Sequence, residues 1–294
     1  RALSGAPRLN AAGRVGEAMD GLRLLLTDET GEAALLAERL ERLNTERQQL
    51  DQRILDEAVE QVESTGGPNG RSAFVLASEG WHPGVVGIVA SRVVERYGRP
   101  TFLIGVEGET GKGSGRSISR FDLHGALKTC GDVLERFGGH KMAAGLTVRR
   151  DRIDEFRERF TAAAAAVLPP DSLGPEQRVD LEIGLADATD ALERLCRHLE
   201  PCGMGNPGPV FWVRGVEFRD PSRVGTGHLR GQLAGNGRRL SAIGFHLADR
   251  VPWLAAGNGA TVDAAFRLER NEFRGTSTLQ ARLLAVAPHA PGTG

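Results

Sequence analysis

The sequence predicts an α/β layer domain and an all-β domain, with one long helix ahead of both. Three observations carry that prediction. From Asp28 to about Ser64 no proline interrupts the chain, and Leu36, Leu40, Leu43, Leu50 and Ile54 hold the four-and-three spacing of a single apolar seam. From Ser72 to Val167 apolar strands alternate with amphipathic helices. Beyond Pro169–Pro175 short apolar runs separated by glycine-rich turns take over.

The 294 residues leave room for two domains and a connector. An apolar share of 40% suits a soluble globular chain, and no run is long enough to span a bilayer. The chain opens on Arg1-Ala2-Leu3-Ser4, with neither an initiator Met nor a secretory core, and reads as a fragment or processed piece of a longer protein. Cys130, Cys196 and Cys202 form no disulfide framework, which fits a cytoplasmic location. Cys196-x-His198-x3-Cys202 lacks a fourth ligand and reads as a helix end and a turn, not a metal clip.

In order along the chain, Arg8-Leu9-Asn10-Ala11-Ala12-Gly13-Arg14 reads as a surface turn, with an anion-facing loop as the alternative. Ala18 to Leu26 is a short apolar helix. The long helix follows, and Thr65-Gly66-Gly67-Pro68-Asn69-Gly70 ends it. Such a helix can be a coiled-coil arm, but its position between two compositionally different regions favours a domain connector. Ala73 to Ala77 is a buried strand. Trp81-His82-Pro83-Gly84 opens a helix with Pro where its missing N–H costs nothing, and that N-terminus beside His82 is a natural anion seat. On this helix Gly84, Gly87 and Ser91 form a small stripe suited to close packing on a sheet. Thr101 to Gly105 is a second strand and Gly113 to Ser119 a third. Asp122 to Leu134 is a helix, Leu146 to Val148 a strand, and Asp151 to Val167 an amphipathic helix.

After the linker come Val179 to Ile183, a helix from Asp187 to Leu199, and the turn Cys202-Gly203-Met204-Gly205-Asn206-Pro207. Strands are expected at Val210–Val213, Leu229–Leu233, Leu240–Phe245, Val262–Leu268 and Leu279–Val286. About five strands with one early and one interposed helix suggest a small barrel of the oligonucleotide-binding (OB) type. Its available aromatics are Phe211, Trp212, Phe245 and Phe273, most of them core and one or two free to stack on bases.

Two stretches carry candidate chemistry. Gly138-Gly139-His140-Lys141-Met142-Ala143-Ala144-Gly145 combines bare backbone with cationic donors, and its alanines leave room for an anion. A tight strand-to-helix turn with an incidental His is the bland alternative. Lys112-Gly113-Ser114-Gly115-Arg116-Ser117 adds a guanidinium and a hydroxyl, and the two together point to a phosphate pocket. Gly111-Lys112-Gly113 is not a Walker A loop, since residue 113 is not Ser or Thr and residue 106 is Val. Nor is it a dinucleotide fingerprint, because Arg116 takes the last glycine position and a strand follows. The net charge of −1 hides an asymmetry. Residues 1–70 hold 8 Arg against 13 Asp and Glu (−5), and residues 201–290 hold 11 Arg against 6 (+5). The basic C-terminal third is compatible with a phosphate-backbone partner.

With Glu79-Gly80-Trp81-His82-Pro83-Gly84-Val85-Val86-Gly87-Ile88 and Asn271-Glu272-Phe273-Arg274-Gly275, these motifs closely resemble the C-terminal two-thirds of the RecJ family of bacterial single-stranded-DNA exonucleases. The resemblance covers essentially the whole chain. It implies that residues 1–27 are the tail of a DHH catalytic domain, 28–66 a connector helix, 71–168 a DHHA1 substrate-binding domain and 176–290 an OB-fold domain. It also implies 5′-to-3′ removal of nucleotides from single strands in repair and recombination. Two Mn²⁺ or Mg²⁺ ions belong to the DHH domain before this chain; Asp122-Leu123-His124 is not that motif, and no metal site is expected here. Carried over by motif, Ser114 and Arg116, helped by Arg14, would hold the 5′-terminal phosphate. His140 would lie on the scissile or adjacent phosphate, with Gly138 and Gly139 giving backbone access, and His82 is a weaker candidate in the same cleft. Single-stranded DNA is the expected partner, a single-strand-binding protein a further one, and the chain is expected to be a monomer off the membrane. Three other readings stay open: an oligonucleotide or cyclic-dinucleotide phosphodiesterase, a non-catalytic DNA-binding replication scaffold, and an α/β domain plus a β domain with an unrelated small-molecule function.

Overall fold

A computed structural model describes residues 2–203, 205–225, 227–255, 257–273 and 275–290. Met204, Arg274 and the side chain of Phe273, all named above, lie outside the described residues. The chain divides into two compact units, residues 1–175 and 176–294.

The first unit opens with α1 (Ala2–Val15), α2 (Ala18–Leu26) and α3 (Thr30–Ser64). The turn expected over residues 8–14 is therefore helix. Ala11 and Ala12 are fully buried, so small side chains let α1 seat closely, and Arg8 is drawn into an ion pair with Glu41 of α3. The bounds of α2 match the prediction. The first half of α3 buries Leu36 and Leu40; its second half buries Ile54, Leu55, Ala58 and Val62 in a core shared with Val85, Val86 and Val89 of the next helix. This helix is thus packed along its length, not a free arm.

The sheet follows as β1 (Phe74–Glu79), α4 (Pro83–Tyr97), β2 (Thr101–Glu107), β3 (Thr110–Arg116), α5 (Leu123–Thr129), β4 (Arg136–Gly139), β5 (Ala143–Arg149) and α6 (Ile153–Ala165). Its order is β1-β2-β3-β5-β4, with β1 and β2 parallel and the remaining pairs antiparallel. On one face α5 and α6 enclose Phe102, Phe121, Phe156 and Phe160, whose rings meet edge-on at 5.1–5.9 Å where they involve Phe102 or Phe121. Each such ring contributes about 1.5–3 kcal/mol by leaving water. On the other face α4 lies over β2 and β3. The free edge of β1 is blunted by side chains, Arg157 donating to the Val75 carbonyl (2.9 Å) and Gln61 to that of Ala77 (3.2 Å).

Three local expectations change. The third strand begins at Thr110 and ends at Arg116. The helix expected to reach Leu134 stops at Thr129; Cys130 leaves helical geometry (φ −107°) and residues 131–133 form one 3₁₀ turn. The glycine stretch is neither a loop nor a strand-to-helix turn. It is a hairpin, β4 and β5 joined through residues 140–142, because its small residues tolerate a pleated ladder as readily as a turn.

The second unit contains β6 (Leu181–Glu182), α7 (Asp190–Arg197), β7 (Phe211–Val224), β8 (His228–Gly235), β9 (Arg238–Gly244), α8 (Pro252–Ala255), β10 (Ala260–Phe273) and β11 (Thr276–Pro288). β7-β8-β9-β11-β10 closes through β10–β7 pairing into a five-stranded barrel, with β6 added beside β7. Phe211, Phe218, Phe266 and Leu233 fill it. The strands outrun their predicted lengths because their outward residues (Arg214, Glu217 and Arg219 on β7) are charged and break the apolar signal. The helix expected from Asp187 begins at Asp190, where Thr189 accepts the Leu192 N–H at 3.3 Å as its cap.

Candidate nucleic-acid interface

The site begins with the alternation of one strand. On β3, Gly111, Gly113 and Gly115 turn toward the aromatic core. A Cβ there would stand 2.7 Å from Ile104, 2.9 Å from Leu146 and 2.5 Å from the Phe102 ring. These glycines make room for core side chains and do not face a ligand. The intervening residues Lys112, Ser114 and Arg116 therefore share the opposite face.

On that face the N-terminus of α4 meets the end of α1. A Cβ on Gly84 would sit 2.2 Å from the Arg14 carbonyl oxygen, and one on Gly87 would sit 2.9 Å from Ser114 Oγ and 3.0 Å from Arg116 Nη2. Arg14 Nη1 donates to the Gly84 carbonyl (3.2 Å); Arg116 Nη1 donates to Ser114 Oγ (3.1 Å) and the Gly115 carbonyl (2.8 Å). His82 caps α4, its Nδ1 accepting the Gly84 N–H at 3.1 Å, so half of its polar capacity is spent on the helix. Burial, and then the positive charge of Arg14, pull the Arg116 guanidinium below its ordinary value. Among the described residues neither arginine has a carboxylate partner, whereas Arg149 and Arg159 in the same unit are neutralised by Asp151 and Asp132. Two mutually repelling guanidiniums, a hydroxyl and a helix N-terminus form an arrangement that an anion would relieve.

The hairpin extends this face. Register places Arg116 beside Ala143, and the His140 N–H bonds the Ala143 carbonyl at 2.8 Å. The next row is Ser114–Gly145–Gly138. Gly139 has φ +142°, and a Cβ there would strike the Ala143 carbonyl oxygen and the Ala144 Cα, both at 2.5 Å, so the turn demands glycine. Gly138 and Gly145 are different. A Cβ on Gly138 would meet nothing within 4 Å, and one on Gly145 only the Gly113 oxygen at 3.7 Å. The fold does not require them to be glycine; their effect is a bare, exposed shelf beside Ser114. The turn is tied down by Ser117 N–H to the Met142 carbonyl and Leu123 N–H to that of Lys141, both 3.0 Å. His140 itself is exposed at the tip, two strands from Arg116, about 10 Å by strand spacing.

The barrel carries a separate surface. Phe245 is half exposed, with the Arg282 guanidinium 5.2 Å from its centroid and the His228 ring 5.1 Å away. Arg230, Ile243 and Arg282 lie in one row across β8, β9 and β11. An exposed ring flanked by cations is the composition of a base-stacking platform. Phe211 is core and Trp212 half-buried beside Arg214, so of the three barrel aromatics named from sequence whose side chains are described, Phe245 is the one left open.

Among the described residues no group of three or more His, Cys, Asp or Glu side chains converges to hold a metal, so the donor set does not fit a two-metal centre. Arg14, His82, Ser114 and Arg116 are brought together, and the hairpin bearing Gly138, Gly139 and His140 continues their sheet face. The roles of Gly87, Gly145, Arg282 and His228 were missed. Gly87 was visible in a small stripe, and Gly145 in the glycine stretch, without a partner for either.

An α/β unit with a bare, cation-flanked shelf, followed by a closed five-stranded barrel, has the architecture of a DHHA1 domain followed by an OB domain. Family profiles agree: the DHHA1 domain matches residues 70–166 and the RecJ OB domain residues 179–285. The chain belongs to the RecJ family. It is 37% identical over 261 residues to the single-stranded-DNA-specific exonuclease RecJ of Bacillus subtilis, covering 87% of this chain and 33% of that protein. To the Escherichia coli protein of the same name it is 37% identical over 289 residues, covering 93% and 48%. It superposes on the crystal structure of RecJ in complex with Mn²⁺ from Thermus thermophilus with a TM-score of 0.77 at 34% identity, covering 98% of this chain and 41% of that one. The same protein has also been crystallised with Mg²⁺. The chain thus spans about a third to a half of the curated relatives it matches. Among the described residues no helix is long and apolar enough to cross a membrane.

Proposed function

We propose that this chain is the substrate-holding part of a 5′-to-3′ exonuclease specific for single-stranded DNA. Arg14, Ser114 and Arg116 grip the 5′-terminal phosphate at the N-terminus of α4. The strand then crosses the shelf of Gly138 and Gly145, with His140 at the scissile or adjacent phosphate, His82 in support and Gly139 shaping the turn. The observation that carries this reading is the pair of guanidiniums without a carboxylate partner among the described residues, facing a hydroxyl and a helix N-terminus beside a shelf that nothing in the fold requires to be bare. A terminal phosphate offers the extra charge and free oxygens that such a fork selects.

Hydrolysis belongs to a DHH domain of the longer protein, where two Mn²⁺ or Mg²⁺ ions supply Lewis acidity and an activated water. Residues 1–27 form the tail of that domain. In support, Met19, Leu22, Leu25 and Leu26 of α2 and Leu35 of α3 are exposed, an apolar face suited to burial against a further domain. Residues 28–66 connect, 71–168 form the DHHA1 domain and 176–290 the OB domain, whose Phe245 surface stacks bases of the trailing strand. The extended platform favours a polymer over a dinucleotide substrate. We place the protein in the cytoplasm as a monomer acting in DNA repair and recombination, with a single-strand-binding protein as its natural companion.

The test measures binding and cleavage of 5′-phosphorylated and 5′-hydroxyl oligonucleotides, single- and double-stranded, with Mn²⁺ present. Salt-sensitive binding of single strands without cleavage is expected. Arg116→Ala should weaken the 5′-phosphorylated strand about ten- to hundred-fold, the loss of about 1.5–3 kcal/mol from a charged hydrogen bond, while leaving the 5′-hydroxyl strand little changed. An unaltered preference in that variant refutes the phosphate assignment, and cleavage that survives repurification refutes the division of labour.

A further inference from the structure

The shelf has a second cationic border. Two residues along β3 from Ser114, register sets Lys112 opposite Thr147 and Thr147 opposite Arg136, on the face that carries Ser114, Gly145 and Gly138. The rows lie about 6.8 Å apart, two residues at about 3.4 Å each, a distance comparable with one nucleotide step of an extended strand. Lys112 and Arg136 are exposed and, like Arg116, have no carboxylate partner among the described residues. One row further on, Arg149 opposite Thr110 is closed by a bidentate pair with Asp151, Nε–Oδ1 at 3.0 Å and Nη2–Oδ2 at 2.6 Å. The unpaired positive charge therefore stops at the Lys112–Thr147–Arg136 row. The bare row lies between it and the row of Arg116 and His140.

Resting on the reading above, we propose that Lys112, Thr147 and Arg136 form a second phosphate subsite, which holds an internal phosphate of the strand once its 5′ end is seated at Arg116. The ligand is the phosphodiester backbone of single-stranded nucleic acid. The hydroxyl of Thr147 donates to it between two cations, and no base is read. The subsite sets a minimum length: a strand too short to reach from the Arg116 row to the Lys112 row gains nothing from it.

The experiment uses the 294-residue chain and fluorescence anisotropy with 5′-phosphorylated oligothymidylates of two to eight nucleotides across a salt series. Lys112→Ala/Arg136→Ala is compared with the charge-preserving Lys112→Arg/Arg136→Lys, with Arg116→Ala, and with Arg159→Ala as a distant control. The alanine pair should leave the dinucleotide unchanged and weaken the longer strands about tenfold. Their log–log salt slope should fall by about 0.7 for each phosphate left without its cation, and the charge-preserving pair should restore both. If the wild-type chain and Arg116→Ala behave as predicted above but the alanine pair binds all lengths normally, or loses all lengths equally, the second subsite is refuted and the first reading stands. If the wild-type chain shows no salt-sensitive binding, the underlying reading fails and takes this one with it.

Discussion

Replacing Gly138 and Gly145 with alanine separates what the fold needs from what a ligand needs. Neither residue has a left-handed φ, and an added methyl finds open space at 138 and only a carbonyl oxygen at 3.7 Å at 145. Each substitution should therefore be tolerated. By restricting the unfolded chain it should stabilise the unit by about 0.4–1 kcal/mol, or about 1–4 °C in Tm for a unit of this size. Binding should move the other way. A methyl on the shelf lifts the nucleic-acid backbone away from the flanking guanidiniums. Lengthening one such charge separation from about 4 to about 6 Å at an effective dielectric near 20 costs about 1.4 kcal/mol, about tenfold in Kd. Thermal unfolding and anisotropy on Gly138→Ala/Gly145→Ala read both quantities from one preparation. A stable double variant that binds single strands like the wild type would show that nothing lies on the shelf. A lowered Tm would show that the fold does require these glycines.

Gly87→Ala on α4 should raise stability by up to about 1 kcal/mol through helix propensity. Its methyl, 2.9 Å from Ser114 Oγ and 3.0 Å from Arg116 Nη2, should displace both tips and reduce the 5′-phosphate preference several-fold, measured as the ratio of Kd for phosphorylated and hydroxyl ends. On the barrel, Phe245→Ala should weaken binding of a long single strand by about 1–3 kcal/mol, the worth of one stacked base. Equal affinity for a strand of about 20 nucleotides before and after that change would exclude Phe245 as a platform.

Much of the architecture could be read from residue order, because periodicity reports burial. The α2 helix, the long α3 seam and the strand–helix alternation after Ser72 were all visible that way. The glycine-rich stretches were legible as chemistry but not as geometry. In Lys112–Arg116 the glycines and the functional side chains alternate because the strand has two faces, and a run without apolar side chains gives no signal of which face is buried. Ring packing of Phe102 under Gly115 settles it, and that contact is long-range. Residue type and spacing alone did not distinguish Arg8 from Arg14; only the family resemblance singled out Arg14. Docking of α1 sends one into an ion pair with Glu41 and the other to the end of α4. Phe245 was named among the barrel aromatics, but its neighbours His228 and Arg282 come from other strands and could not be paired with it from sequence.

The joint at Gly84 has a mechanical meaning. With the Arg14 carbonyl oxygen 2.2 Å from where a side chain would begin, the end of α1 and the start of α4 are mated backbone to backbone. The proposed phosphate grip takes one arginine from each side of that seam, Arg14 from the helix that leads in and Arg116 from the sheet beneath. A seated strand end would then act as a rivet. It can be held only while the seam is closed, and by mass action its binding energy is added to the energy that keeps the seam closed. Such a protein would be stiffest when loaded, with the incoming helices locked to the sheet at the moment the strand is in position.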